Sequence, residues 1–279
     1  MSYVLASIVC SVLVSVLLKL APRWRIDVAQ AIAWNYGVAS LATWLLLKPE
    51  LAPLGTTAPW PTLVALGLLL PTIFLVLALS VRYAGIVRSD AAQRLSLVLP
   101  LVAAFLLFGE RLTPLKFAGC ALGLVALAGV AWRSGPREDR PGCAWTWPLL
   151  VFAGFGVIDV LFKRVAAAGL PLGTALAVVF ALALPIAFAI ALARGTRLDG
   201  RGLAGGVSLG LLNFGNILFY LRAHRALPDS PALVFASMNL GVVALGALVG
   251  LVVFREQLGR LNLAALLLAL VAIGVLVVA

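Results

Sequence analysis

The chain has 279 residues, of which 63% are hydrophobic and only 11% are charged. An ordinary soluble domain carries roughly 25% charged residues, so too few polar groups remain here to cover a water-facing surface. The net charge of +11 sits in short clusters between apolar runs, a pattern that indicates anionic lipid headgroups as partners rather than nucleic acid. The three cysteines show neither metal-ligand spacing nor a disulfide framework, so no metal or cofactor is expected. Composition predicts an all-α integral membrane protein.

Apolar runs of about 20 residues, the length that spans a hydrocarbon core, recur along the chain. Read between polar breaks, they predict about ten transmembrane helices, at residues 2–20, 28–47, 61–80, 87–108, 114–132, 147–167, 173–193, 203–222, 232–254 and 262–279. The longest polar link divides the chain into a first five-helix repeat at 1–132, a linker loop at 133–146 and a second five-helix repeat at 147–279.

Segments of the first repeat recur in the same order in the second. SVLLKLA from Ser15 returns as DVLFKRVA from Asp159, and FGERL from Phe108 returns as FREQL from Phe254. This alignment pairs Lys19 with Lys163, Gln93 with Asn239, and Glu110 with Glu256. Because each repeat holds an odd number of helices, the two would enter the membrane with opposite orientations. Such inverted repeats build carriers that work by alternating access.

The end of the first repeat, LVLPLVAAFLLFGERLTPLKFAGCALGLVALAGV from Leu97, resembles the drug/metabolite transporter superfamily in its ten-helix EamA-like branch. The resemblance covers essentially the whole chain, and it implies a cavity lined by the first, third and fourth helices of each half. In small exporters of the superfamily an essential carboxylate precedes the lysine by eight residues. Here Ser11 and Phe155 occupy those positions, so the proton-coupled cation exchange of those exporters is not carried over.

Polar residues at membrane depth are costly and predict either substrate binding or contacts between helices. Asn213 and Asn216 lie three residues apart and Tyr220 lies four further on, so the three share a helix face. Gln93 and Asn239 occupy matching places in the two fourth helices. The predicted substrate-binding residues are Gln93, Asn213, Asn216, Tyr220, Asn239 and Asn35.

Asp159 lies well inside a predicted helix, with Lys163 four residues later. The two form either an intrahelical ion pair or a coupling site that carries a proton or contacts substrate. Asp90 and Arg94 have the same spacing and predict a local ion pair, with Asp90 as a further site candidate. Glu110 and Glu256 predict contacts at loops or helix starts.

No nucleophile elbow, glycine-rich phosphate loop or His/Cys metal cluster is found in the sequence, so an enzyme is not expected. The prediction is a secondary transporter of a small polar, amino-acid-like metabolite in a bacterial inner membrane. The resemblance favours export. Its partners would be the substrate, membrane lipids and a coupled proton, and its state a monomer or homodimer. The alternatives are a multidrug or organic-cation exporter, a membrane-embedded enzyme and a membrane scaffold.

Loop charges predict the orientation. Of the 21 Lys and Arg residues, 14 fall in one set of connections, including those after the first, third, fifth, seventh and ninth helices, and seven in the other. The positive-inside rule places the richer set in the cytoplasm and both termini outside, whereas the family resemblance implies termini inside. A cysteine at Thr56 should then react with an impermeant reagent from outside, and protection there would contradict the assignment.

Overall fold

The computed structural model describes residues 2–52, 54–55, 58–100, 102–103, 113–131, 146–227 and 231–278. These residues contain ten α-helices with defined bounds, further helical residues at 98–100 and 102–103, and no strand. In chain order the helices are α1 (Ser2–Leu20), α2 (Val28–Ala42), α3 (Trp60–Tyr83), α4 (Ile86–Leu95), α5 (Pro114–Ala131), α6 (Thr146–Ala167), α7 (Leu172–Ala193), α8 (Gly200–Ala226), α9 (Pro231–Leu248) and α10 (Arg260–Val278). Each predicted apolar run holds one of these helices. The predicted linker and Glu110 lie outside the described residues, except Thr146, which begins α6.

Three of the helices end earlier than predicted. α2 and α9 each pass into a π-helical turn, at Thr43–Leu47 and Val249–Val253. The run predicted at 87–108 contains α4 as far as Leu95, then a turn at 96–97, and then further helical residues at 98–100 and 102–103. At that turn the Ser96 hydroxyl donates to the Gln93 carbonyl at 2.6 Å, a local bond that competes with the helical pattern.

Apolar side chains face outward over much of the surface. Leu45, Phe117 and Val252 are 64%, 67% and 66% exposed. Buried positions, in contrast, include polar residues such as Ser7 and Asn35. By length and composition α1, α3, α7 and α8 can each cross a membrane. This distribution suits lipid as the surrounding solvent, because large apolar patches on a water-soluble surface are rare.

α8 approaches α2 closely through three glycines spaced four residues apart, Gly202, Gly206 and Gly210. A Cβ atom at Gly206 would lie 2.8 Å from the Ala31 carbonyl oxygen, and one at Gly210 would lie 3.0 Å from the Asn35 carbonyl oxygen. Small residues of this kind let membrane helices gain van der Waals contact along their backbones.

Polar contacts gather several helix ends at one end of the bundle. Glu256, between α9 and α10, bonds Lys19 near the end of α1 and the backbone at the start of α4. Gln30, in the first turn of α2, bonds the backbone of Asp199, the N-cap of α8. This end is named the basic end, because its described residues include Lys19, Arg23, Arg25, Arg82, Arg88, Arg194, Arg197, Arg201, Arg255 and Arg260.

At the opposite end, the Thr174 hydroxyl of α7 donates to the carbonyl of Glu50, which follows α2, at 2.8 Å. Arg94 was predicted to lie in a connection, but it lies near the end of α4, eight residues beyond the start of that helix. At 1.5 Å per residue this is about 12 Å from the basic end. The richer set of Lys and Arg residues therefore falls from 14 to 13, against seven in the other set. The predicted orientation does not change.

Candidate functional site

A cavity of about 480 Å³ lies among α4, α6, α8 and α9. Its polar wall consists of Gln93, Arg94, Ser96, Asp159, Asn216, Tyr220 and Asn239. Its apolar wall consists of Leu97, Pro100, Phe155, Leu172, Ile217, Leu221 and Met238. A concave site that combines apolar surface with a few polar groups suits a small organic molecule.

Five of the predicted site residues meet in this cavity, namely Gln93, Asp159, Asn216, Tyr220 and Asn239. Asn216 and Tyr220 are neighbours on one face of α8, as their spacing predicts. Gln93 and Asn239 come from α4 and α9, which pack against each other. Their binding of a substrate stays a prediction.

Asn213 and Asn35 are not among the residues that line this cavity. The Asn213 side-chain NH₂ donates to the Asn35 side-chain oxygen at 3.2 Å, and Asn35 is fully buried. Asn213 instead lines a neighbouring pocket of about 60 Å³ that shares Gln93 and Asn216 with the larger cavity. The bond between Asn213 and Asn35 joins α8 to α2. For these two residues the structure therefore shows a contact between helices, which was the alternative to substrate binding.

Asp159 has different neighbours from those predicted. The groups that act on its carboxylate are the Arg94 guanidinium and the Ser96 hydroxyl, both from the region of α4, instead of Lys163 on its own helix. Among the described residues Lys163 does not line the cavity. The difference arises because α6 packs against α4, which brings a second charged helix face to Asp159.

The predicted ion pair between Asp90 and Arg94 is also replaced by contacts between helices. The Ser15 hydroxyl donates to Asp90 Oδ1 at 2.7 Å, and Arg94 Nη2 donates to the Ser11 hydroxyl at 2.7 Å. Within the described residues no carboxylate oxygen lies within 4 Å of an Arg94 nitrogen. Asp90 is 3% exposed and is covered by Gly246 of α9, so it lies behind the cavity wall.

One face of α1 makes each of these contacts. Ser7, Ser11, Ser15 and Lys19 are spaced four residues apart and bond, in order, Asn216, Arg94, Asp90 and Glu256. This set of four α1 residues is named the serine face. The spacing was visible in the sequence, and it was the signal that could have predicted a polar face. It connects α1 to three other parts of the structure and positions two residues of the cavity wall.

Glu256 contacts two helices at the basic end, including the start of α4, as predicted for a residue with helix-start contacts. Its carboxylate accepts hydrogen bonds from the backbone N–H groups of Ile86 at 2.7 Å and Val87 at 3.2 Å, and from Lys19 at 3.0 Å. Gly85 has a φ of +94°, and a Cβ atom there would lie 2.6 Å from Glu256 Oε2. These five residues form the basic-end clamp, in which a carboxylate from the second half of the chain caps a helix of the first half.

Comparisons with known proteins agree with this architecture. The model of the EamA-like transporter family matches residues 1–132. An uncharacterized protein from Haemophilus influenzae is 41% identical over 274 residues, covering 96% of this chain and 94% of that protein. A solved crystal structure with 20% sequence identity has a TM-score of 0.58, covering 99% of this chain and 97% of that one, which shows a likeness of fold alone.

The apolar helices and the outward apolar surface indicate a multi-pass α-helical membrane protein, and the family match indicates the transporter class. Residues 1–132 belong to the EamA-like transporter family, within the drug/metabolite transporter superfamily. The resemblance found in the sequence is thereby confirmed. Members of this family are transporters rather than enzymes, which agrees with the expectation drawn from the motifs.

Proposed function

We propose that the chain is a secondary transporter that moves a small polar, amino-acid-like metabolite by alternating access, with export across a bacterial inner membrane as its direction. The observation that carries the proposal is the cavity, in which an arginine, an aspartate and three side-chain amides meet apolar side chains within a multi-pass membrane protein. Polar groups at this depth are costly unless they serve a function or pair with one another.

The proposal includes ten membrane crossings in two inverted repeats, α1–α5 and α6–α10. Each helix of the first repeat corresponds to the helix five places later in the chain, so that α1 matches α6 and α3 matches α8. Under this correspondence the contact of α1 with α8 matches that of α6 with α3, and the contact of α1 with α9 matches that of α6 with α4. All four of these helix–helix contacts are present in the structure. The pairs α2–α7, α4–α9 and α5–α10 map onto themselves and are also in contact. An approximate two-fold axis between the repeats would produce this pattern.

The two ends of the bundle differ in a way that supports alternating access. Leu172 at the start of α7 and Leu221 near the end of α8 place the cavity toward the opposite end. The basic-end clamp joins α1, α4 and the α9–α10 connection on the other side. With the basic end in the cytoplasm, this arrangement is the outward-facing state. The return step would require the clamp contacts to rearrange.

Side-chain amides in the cavity provide the test of this function. We expect Gln93→Leu and Asn216→Leu each to reduce counterflow of the transported solute in proteoliposomes about tenfold, because each leaves a polar substrate group unpaired at a cost of about 1–3 kcal/mol. Gln257→Leu, at an exposed amide between α9 and α10, is the matched control and should transport like the parent. If folded Gln93 and Asn216 variants also transport like the parent, the cavity is not the substrate site.

A further inference from the structure

Arg94 supplies positive charge to a cavity otherwise lined by amides, hydroxyls, an acid and apolar groups. It is the sole Lys or Arg among the residues that the structure describes along the cavity wall. A guanidinium has five N–H donors in one plane. One of these donates to Ser11, and Nε is buried with no acceptor in the described part of the chain. Arg94 therefore retains donors for another group.

The contact with Ser11 restricts how Arg94 can move. Its 2.7 Å bond joins the guanidinium to α1, and Ser15, one turn later on α1, holds Asp90 at the same distance. Asp90 and Arg94 are also one turn apart on α4. Two serines on one face of α1 therefore bond two charged residues on one face of α4. A guanidinium positioned in this way loses little further conformational freedom when it binds a ligand.

Two carboxylates influence Arg94 from different elements. Asp90 lies behind the cavity wall on α4, whereas Asp159 faces the cavity from α6. Neither comes within 4 Å of the Arg94 nitrogens in the described residues. Arg94 is therefore balanced electrostatically but is not occupied by a direct ion pair. A ligand carboxylate could accept two parallel hydrogen bonds from the fork of the guanidinium, which is the geometry that arginine provides.

We propose that Arg94 is the substrate-binding residue that selects for a carboxylate, with Ser11 as its positioning residue. The proposal rests on the proposed transport function and names the group that the cavity recognises. A solute with a carboxylate replaces solvent at the guanidinium, whereas the corresponding amide brings NH₂ donors against N–H donors. The remainder of such a solute lies against Leu97, Pro100 and Ile217.

Binding to the purified full-length protein in detergent tests the assignment. The probes are the L-amino acids, their amides, and the matching acids without the amino group, such as L-leucine, L-leucinamide and 4-methylpentanoate. We expect at least one carboxylate probe to bind wild type about tenfold or more tightly than its amide, as one lost charged hydrogen bond implies. In Arg94→Gln the acid and amide should bind equally. Arg94→Lys should keep the charge but only part of the preference.

Ser11→Ala should weaken carboxylate binding less than Arg94→Gln does, and the exposed Arg201→Gln should bind as wild type does. If Arg94→Gln folds poorly, Arg94→Gln combined with Asp159→Asn removes the excess negative charge and the comparison is made there. Equal binding of acids and amides by wild type, or an unchanged preference in Arg94→Gln, would overturn the assignment. If the amides then show counterflow, the proposed transport function is retained and only the carboxylate selectivity of Arg94 is rejected. If no probe binds or exchanges, the amino-acid function fails and this assignment with it.

Discussion

Replacing Glu256 by glutamine is expected to lower the free energy of unfolding by about 3 kcal/mol, the size of effect seen when one partner of a buried ion pair is removed. The Glu256 side chain is 10% exposed and that of Lys19 is 23% exposed. Glutamine keeps one acceptor oxygen but points NH₂ donors at the Lys19 ammonium and at the N–H groups of Ile86 or Val87. Denaturant titration of the detergent-solubilised protein measures the change.

Glu50→Gln is the matched control, because the Glu50 side chain is exposed after α2 and the change should stay within about 0.5 kcal/mol. A second variant separates charge from hydrogen bonding. Adding Lys19→Met to Glu256→Gln removes the stranded ammonium and should recover part of the lost stability. Wild-type stability for Glu256→Gln alone would show that the basic-end clamp contributes little to the fold.

The second large effect is expected at Asp159. Substitution of Asp159 by asparagine should abolish accumulation of solute driven by a pH gradient while sparing counterflow of solute down its own gradient. One proton moved per solute across one pH unit supplies about 1.4 kcal/mol, which sustains about tenfold accumulation. The wild-type ratio should therefore approach ten, and the variant ratio one. The hypothesis is that Asp159 alternates between an ionised form near Arg94 and a protonated or substrate-bound form.

The structure also defines the competing account of Asp159. If Asp159 only balances Arg94, its removal should reduce folding yield and transport together. Asp90 still acts on Arg94 in the variant, so the coupling hypothesis predicts a normal yield. Glu50→Gln again serves as the control and should accumulate solute as wild type does. Normal uphill uptake by a well-folded Asp159→Asn protein would contradict the coupling role.

Much of the helical arrangement followed from hydrophobicity. The apolar runs predicted where the helices lie, because a membrane-spanning segment must satisfy its own backbone and face lipid. Helix ends were less accurate. Neither the turn after α4, where Ser96 bonds the Gln93 carbonyl, nor the π-helical ends of α2 and α9 were predicted.

The cavity was predicted in outline but not in its charges. Spacing within one helix correctly placed Asn216 and Tyr220 on one face of α8. The same reasoning paired Asp90 with Arg94 and Asp159 with Lys163, and it missed the contacts that the structure shows between helices. Pairing of side chains across helices depends on how each helix is rotated about its axis. The serine spacing shows which face of α1 is polar, but it does not show which helix that face contacts.

In the proposed function, a small polar solute passes through this protein by way of the cavity. Counterflow into proteoliposomes, with a panel of radiolabelled amino acids and related metabolites, tests this route. We expect at least one radiolabelled amino-acid-like solute to enter liposomes that contain the wild-type protein and are preloaded with that solute. Its uptake should lie well above the uptake into protein-free liposomes. Ile217→Trp, which fills part of the cavity, should reduce that entry. Folded wild-type protein that exchanges no member of the panel, or exchange untouched by Ile217→Trp, would contradict the account.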